Sequence, residues 1–161
     1  MVLTNSKPMI AIVYASATGH TERLTEMIAD ASVRQGLQPE VFPVKEFDLK
    51  ELLRYDIVLV GTYTWLNGEI PRQLHRLFEA IEQHQGELVT GVFGTGDRCF
   101  ATYCGAVDLF RDMLHVKTQL AATLKVEQMP SAEDRLRCDA FMNSVWRKYS
   151  QYVESLVAAK S

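Results

Sequence analysis

Apolar and polar positions follow two rhythms along this chain, and the rhythms take turns. Residues 9–15 form an unbroken apolar run (Met9, Ile10, Ala11, Ile12, Val13, Tyr14, Ala15), the pattern of a strand covered on both faces. The run stops at Ser16. Beyond Thr21 the apolar positions Leu24, Met27, Ile28 and Ala31 fall at i, i+3, i+4 and i+7, one stripe of a helix that Gly36 ends. A short strand follows over 40–44, weakened as an interior strand by Pro39 and Pro43. A short helix over 48–55 leads to a second buried run, Ile57, Val58, Leu59 and Val60, closed by Gly61. Leu74, Leu77, Phe78 and Ile81 mark the next helix, then come a strand over 87–94, a helix from 105 to about 119 and a strand over 120–127. A last helix, over about 133–158, carries Phe141, Val145, Tyr149, Tyr152, Val153 and Leu156 on its buried stripe.

Five strand signals alternating with helices predict an α/β fold. Right-handed crossovers then give a five-stranded parallel sheet with helices on both faces, a three-layer sandwich in one domain spanning 1–161. Residues 1–8 precede the first strand and are expected to form a loosely ordered extension. Ligands of such sheets sit outside the carboxyl ends of the strands, where the strand order reverses. Three loops lie at carboxyl ends, 16–21, 62–71 and 95–104, and they are expected to converge on one site.

The first loop has the chemistry of a phosphate site. Ser16, Ala17, Thr18, Gly19, His20 and Thr21 connect a buried strand directly to a helix N-terminus, which presents unsatisfied N–H groups and positive dipole to an anion. Hydroxyls at Ser16, Thr18 and Thr21 can donate, and Gly19 permits a positive φ. No Lys or Arg stands in the loop, so a phosphate there is held by neutral donors and keeps its charge. His20 is expected to bind through its backbone N–H with its imidazole in solvent. The segment matches neither the P-loop nor the dinucleotide fingerprint, having one Gly and no Lys.

Composition changes this picture little but excludes several classes. A formal charge of −3 argues against a nucleic-acid surface. No apolar run approaches the ~18 residues of a membrane span, and the start of the chain lacks a secretory signal pattern, so a cytoplasmic location is expected. Cys99, Cys104 and Cys138 form no C-x-x-C pair and read as packing residues, and His20, His75, His84 and His115 have no metal-ligand spacing.

The three loops together resemble those of the flavodoxins. Ser16–Thr21 resembles the family's phosphate loop, and Thr62, Tyr63, Thr64, Trp65, Leu66, Asn67, Gly68, Glu69, Ile70 and Pro71 resemble T-[WY]-G-D-G-E-L-P. The stretch from Gly94 through Asp108 is similar to G-x-G-D-x-x-Y-x-x-F-C-G-A-V-D, without insertion or deletion. The resemblance covers the chain from Met9 to the final helix and is nearest in pattern to the short-chain flavodoxins of Gram-positive bacteria. It implies strand order 2-1-3-4-5 and non-covalently bound flavin mononucleotide (FMN). By resemblance Ser16 to Thr21 hold the phosphate, Trp65 covers one face of the isoalloxazine and Phe100 the outer face. Thr62, Tyr63, Thr64, Leu66, Asn67 and Gly68 surround the ring and N5, and Thr95, Gly96, Asp97, Tyr103 and Cys104 serve the pyrimidine edge.

Four positions depart from the family pattern: Phe100 lacks a phenol hydroxyl, Leu66 replaces a small residue, Asn67 replaces a carboxylate and His20 replaces Asn. Leu66 is expected to stiffen the peptide it shares with Asn67, unless Asn67 accepts the positive φ. The resemblance implies a low-potential electron carrier without a substrate pocket, working between a flavodoxin/ferredoxin-NADP reductase-type donor and soluble redox enzymes as acceptors. It implies a monomer that touches partners transiently, with no nucleic acid and no membrane among them. The alternative is an FMN-dependent NAD(P)H:quinone oxidoreductase of the same fold, which calls for a nicotinamide-binding surface and added tetramer contacts. A phosphoacceptor signalling domain needs acidic residues where this chain has Ser16 and Thr62.

Overall fold

The computed structural model describes residues 7–98 and 102–160, with the backbone alone at Leu66. Five parallel strands, β1 (Ile10–Tyr14), β2 (Glu40–Pro43), β3 (Ile57–Tyr63), β4 (Val89–Gly96) and β5 (Gln119–Glu127), form one sheet in the order β2-β1-β3-β4-β5. Four helices connect and cover it: α1 (His20–Arg34), α2 (His75–Glu82), α3 (Gly105–Lys117) and α4 (Arg135–Ala159). This is the expected three-layer sandwich in the expected order.

The apolar runs work as predicted because strand side chains alternate faces. Ile57 and Leu59 of β3 join Ile10, Ile12 and Phe93 in the core beneath α1 and α4. Val58 and Val60 join Val13 and Val92 in the second core, with Leu77 and Ile81 of α2 and Phe110 and Leu114 of α3. Neither face of the central strands is left to solvent, which is why they read as continuous apolar runs. On the first side Phe93 and Phe141 meet edge to face, ring centroids 5.9 Å apart. No helix among the described residues is long and apolar enough to cross a membrane.

Three elements differ from the sequence reading, each for a packing reason. The segment expected to be a helix over 48–55 is a 3-10 helix, Leu49–Arg54, whose only buried residue is Leu52. One buried side chain gives no stripe to hold an α-helical period, and Asp48 caps the start by accepting from the Lys50 N–H at 3.0 Å. Strand β4 begins later than 87 and runs on to Gly96, taking in two residues expected in the loop. Its glycines serve close approach: a Cβ on Gly94 would lie 2.5 Å from the Thr62 carbonyl oxygen, and one on Gly91 2.8 Å from the Phe141 ring. The last helix starts at Arg135, after a 3-10 turn over Ala132–Asp134 closed by a capping box between Ser131 and Asp134. Its stripe is fully buried at Cys138, Phe141, Met142 and Val145, while Tyr149, Tyr152, Val153 and Leu156 are half-buried.

Ahead of β1, Pro8 is buried and the Lys7 ammonium donates to the Gly36 carbonyl at 2.8 Å. The ends of β1, β3 and β4 lie side by side, with the reversal of order between β1 and β3.

Candidate functional site

The first loop is braced from within. Ser16 Oγ accepts from the backbone N–H of Gly19 and of Glu22, both at 3.2 Å, which leaves its own proton to give elsewhere. Gly19 takes φ +92° at the start of α1, where a side chain would be strained. The N–H groups of Ala17, Thr18, His20 and Thr21 make no hydrogen bond to other described residues. Four donors around a helix N-terminus are thus unspent. Thr21 is buried, and its hydroxyl lies 2.8 Å from that of Thr95, tying α1 to the end of β4. One of the two hydroxyls keeps a proton to donate, whichever way the pair is oriented.

Non-local contacts hold the other two loops. Thr62 is buried and donates to the Tyr63 carbonyl at 2.6 Å, and the Tyr63 hydroxyl reaches Gln73 Oε1 at 3.2 Å. Thr64 Oγ1 accepts from the Ala106 N–H at 3.3 Å, joining the second loop to α3. Trp65 is half exposed, its ring edge-on to Tyr63 at 6.3 Å. A turn follows in which Gly68 N–H donates to the Trp65 carbonyl at 3.1 Å, with φ +64° at Asn67 and +81° at Gly68. Asn67 therefore takes the positive φ, the condition under which Leu66 is not expected to stiffen the peptide; Asn tolerates the left-handed region. The turn is wedged against the third loop: a Cβ on Gly68 would lie 2.8 Å from Thr102 Cβ, and one on Gly105 2.9 Å from the Gly68 backbone.

Burial shapes the third loop. Cys104 opens α3 in the left-handed region, φ +50°, with its thiol wholly buried and pushed up to about 11. The thiol is neutral at ordinary pH. The Arg98 guanidinium stands 5.3 Å from the Tyr103 ring centre and the Lys125 ammonium 6.0 Å from it. Burial raises the Tyr103 phenol, whose oxygen has no hydrogen-bond partner among the described residues. Lys125 is itself anchored by Asp108 at 2.8 Å.

The loops converge, as expected, on one cleft of about 820 Å³, within the ~300–1,000 Å³ common to small-molecule sites. Ala17, Thr18 and His20 line it from the first loop and Tyr63, Thr64, Trp65 and Asn67 from the second. Thr95, Gly96, Asp97, Tyr103 and Cys104 close the far side. Ser16, Gly19, Thr21, Thr62 and Gly68 adjoin this wall and support it. Phe100 lies outside the described residues, as does Cys99, and of Leu66 only the backbone is described. Two lining residues escaped the sequence reading, Thr102 and Gln128. Gln128 follows β5, takes φ +52° and donates its N–H to the Gly96 carbonyl at 2.7 Å. The position of β5 beside β4 is the signal that could have found it. No group of three or more His, Cys, Asp or Glu among the described residues could hold a metal ion.

Fold and cleft together define a parallel α/β protein with a phosphate-type loop beside an aromatic wall. The sequence model of the family described as "Flavodoxin" matches residues 12–141, and the chain belongs to that family. It is 36% identical over 144 residues to "Probable flavodoxin 1" of Bacillus subtilis, covering 86% of this chain and 91% of the relative. Among solved structures it is similar to oxidised flavodoxin 2 of Bacillus cereus, at 30% identity and TM-score 0.79, covering 87% of this chain and 99% of that one. A flavodoxin of Streptococcus pneumonia TIGR4 aligns at 29% identity and TM-score 0.81, with 87% and 99% covered. The protein is accordingly a small electron carrier and not an enzyme, and its cofactor is non-covalently bound FMN.

The described residues fit that group. Four unspent N–H donors suit a phosphate, and a half-exposed Trp65 beside an open cleft of sufficient volume suits a planar ring.

Proposed function

We propose that the cleft holds FMN with its phosphate on the 16–21 loop and its ring against Trp65, and that the protein carries electrons from a flavodoxin/ferredoxin-NADP reductase-type donor to soluble redox enzymes. When bound, the cofactor supplies reversible one-electron chemistry, which no side chain of this chain provides. Ser16, Thr18 and the free N–H groups of 17, 18, 20 and 21 bind the phosphate. Thr64, Asn67 and Gly68 shape the edge of the ring site, with Leu66 beside them, and Thr95 to Asp97, Tyr103 and Cys104 close the other edge. Phe100, outside the described residues, is assigned to the outer face.

The observation that carries this reading is the lining of the cleft: among the described residues it contains one carboxylate, Asp97, and no Lys or Arg. A phosphate held by neutral donors stays charged and opposes further negative charge in the cleft. The carrier therefore releases its last electron at low potential. Transient partners suit a small contact area around the exposed Trp65 edge. We assign the protein to the cytoplasm and to a monomeric state on the same reading.

An absorption spectrum of the purified protein tests the cofactor assignment. A yellow flavin spectrum that stays with the protein through gel filtration, and heat-released flavin that is FMN, is the expected result. A colourless protein that fails to take up added FMN overturns it.

A further inference from the structure

We propose that Gln128 is a further cofactor-binding residue, its side-chain amide hydrogen-bonding the pyrimidine edge of the flavin ring. This rests on the placement of the ring between Trp65 and the end of β4. Among the described residues three other than glycine take a positive φ: Asn67 at +64°, Cys104 at +50° and Gln128 at +52°. All three line the cleft. Backbone strain of this kind persists where it places a group that function needs. Asn67 is of a type that tolerates the left-handed region, and Cys104 is wholly buried and packed against Gly96. Gln128 has neither support. It is exposed, and its side chain makes no hydrogen bond to another described residue.

The backbone beneath that side chain is fixed. Strands β4 and β5 stay paired to Gly96 and Glu127, and the Gln128 N–H donates to the Gly96 carbonyl at 2.7 Å as one more rung. Gly96 is closed in from the other side, since a Cβ on it would lie 2.9 Å from the Cys104 nitrogen and from its sulfur. A glycine at 128 would make the same turn without strain. What the strained glutamine adds is a side chain on the cleft wall, beside Gly96 and Asp97.

The chemistry of that side chain suits the ring. A primary amide donates and accepts at once and carries no charge. The pyrimidine edge of an isoalloxazine presents a carbonyl, an N–H and a second carbonyl in a row, so one amide can donate to a carbonyl and accept from the N–H beside it. Gly96 and Asp97, next to Gln128 on the wall, are the residues assigned to that edge. Gln128 thus brings a contact from the end of β5, outside the three motif loops.

The test dilutes FMN-loaded and riboflavin-loaded wild type, Q128G and Q128E and follows released flavin by its fluorescence, with the melting temperature of each full-length chain free of flavin as the control for folding. Q128G removes the strain and the amide together, whereas Q128E keeps the length and the turn and replaces the amide donor with an acceptor. We expect Q128G to melt no lower than wild type but to hold both flavins roughly tenfold more weakly, and Q128E to weaken riboflavin by at least as much. The visible absorption bands of the flavin that remains bound should shift in both variants. A contact to the phosphate would spare riboflavin, and a contact to the ribityl chain would leave the bands in place; either result overturns the assignment to the ring. Variants that hold both flavins as wild type does would show Gln128 to be a turn residue alone, with the cofactor site left standing. Wild type that takes up neither flavin overturns the cofactor site itself. Should Q128G melt lower, Q128E carries the same comparison on an unchanged turn.

Discussion

The phosphate loop and the ring-side loops meet in one cleft but are held in opposite ways. In the 16–21 loop the bracing is mostly local: Ser16 Oγ serves N–H groups three and six residues ahead and helix α1 follows at once, with one long tie from Thr21 to Thr95. On the ring side the bracing comes from far along the chain. Thr64 is tied to Ala106 across 42 residues, Gly68 is wedged against Thr102 and Gly105, and Tyr103 stands beside Arg98 and Lys125. A locally braced loop can lose one donor and keep its shape. A loop wedged from a distance transmits any change in packing to the wall it forms. The first region should therefore govern how tightly the phosphate is held, and the second the shape and stability of the ring site.

The largest expected effect is the simplest to measure. Removing the phosphate takes away several hydrogen bonds to a charged group at ~1.5–3 kcal/mol each. Riboflavin should bind more than ~100-fold more weakly than FMN. Comparable affinities would show that the first loop does not hold the cofactor.

Gly68→Ala probes the other region. The new Cβ would meet Thr102 at 2.8 Å on a backbone at φ +81°, so a loss of ~1–3 kcal/mol in stability is expected. Because the ring wall moves, FMN and riboflavin should weaken together. A variant with wild-type melting temperature and affinities would mean that the turn is not wedged. Thr18→Ala should do the reverse, costing ~1–2 kcal/mol of FMN binding and leaving riboflavin and the melting temperature unchanged. Titrations with both flavins separate the two outcomes.

The smallest effect belongs to Tyr103→Phe. Its hydroxyl is buried and has no hydrogen-bond partner among the described residues, so deleting it removes a desolvation penalty. Stability should hold or rise by up to ~1 kcal/mol, read as a higher urea midpoint at constant slope. A fall of that size would reveal a partner that binds the hydroxyl in solution.

The same contrast decides what was legible in the sequence. The β1 run, the α1 stripe and the loop between them share one local stretch, and their pattern reports their structure directly. The strand order and the convergence of three loops followed from the alternation of elements with the family resemblance. Distant neighbours were not legible. Nothing near the glycines of β4 announces the Phe141 ring or the Thr62 carbonyl that they approach. Thr21 read as a phosphate donor, but its hydroxyl is shared with Thr95, 74 residues away. Gln128 was missed because it enters from β5, a strand that carries no motif. The positive φ at Asn67 was foreseen only as a condition, since a turn's distribution of strain depends on what it packs against.

The central claim is electron transfer without turnover, and one anaerobic mixing experiment tests it most directly. FMN-loaded protein mixed with NADPH alone should stay oxidised for minutes, its visible flavin absorbance unchanged. A catalytic amount of ferredoxin/flavodoxin-NADP reductase should then bleach it rapidly. Rapid bleaching by NADPH without the reductase would contradict the account, because the chain would then bind and oxidise the nicotinamide itself.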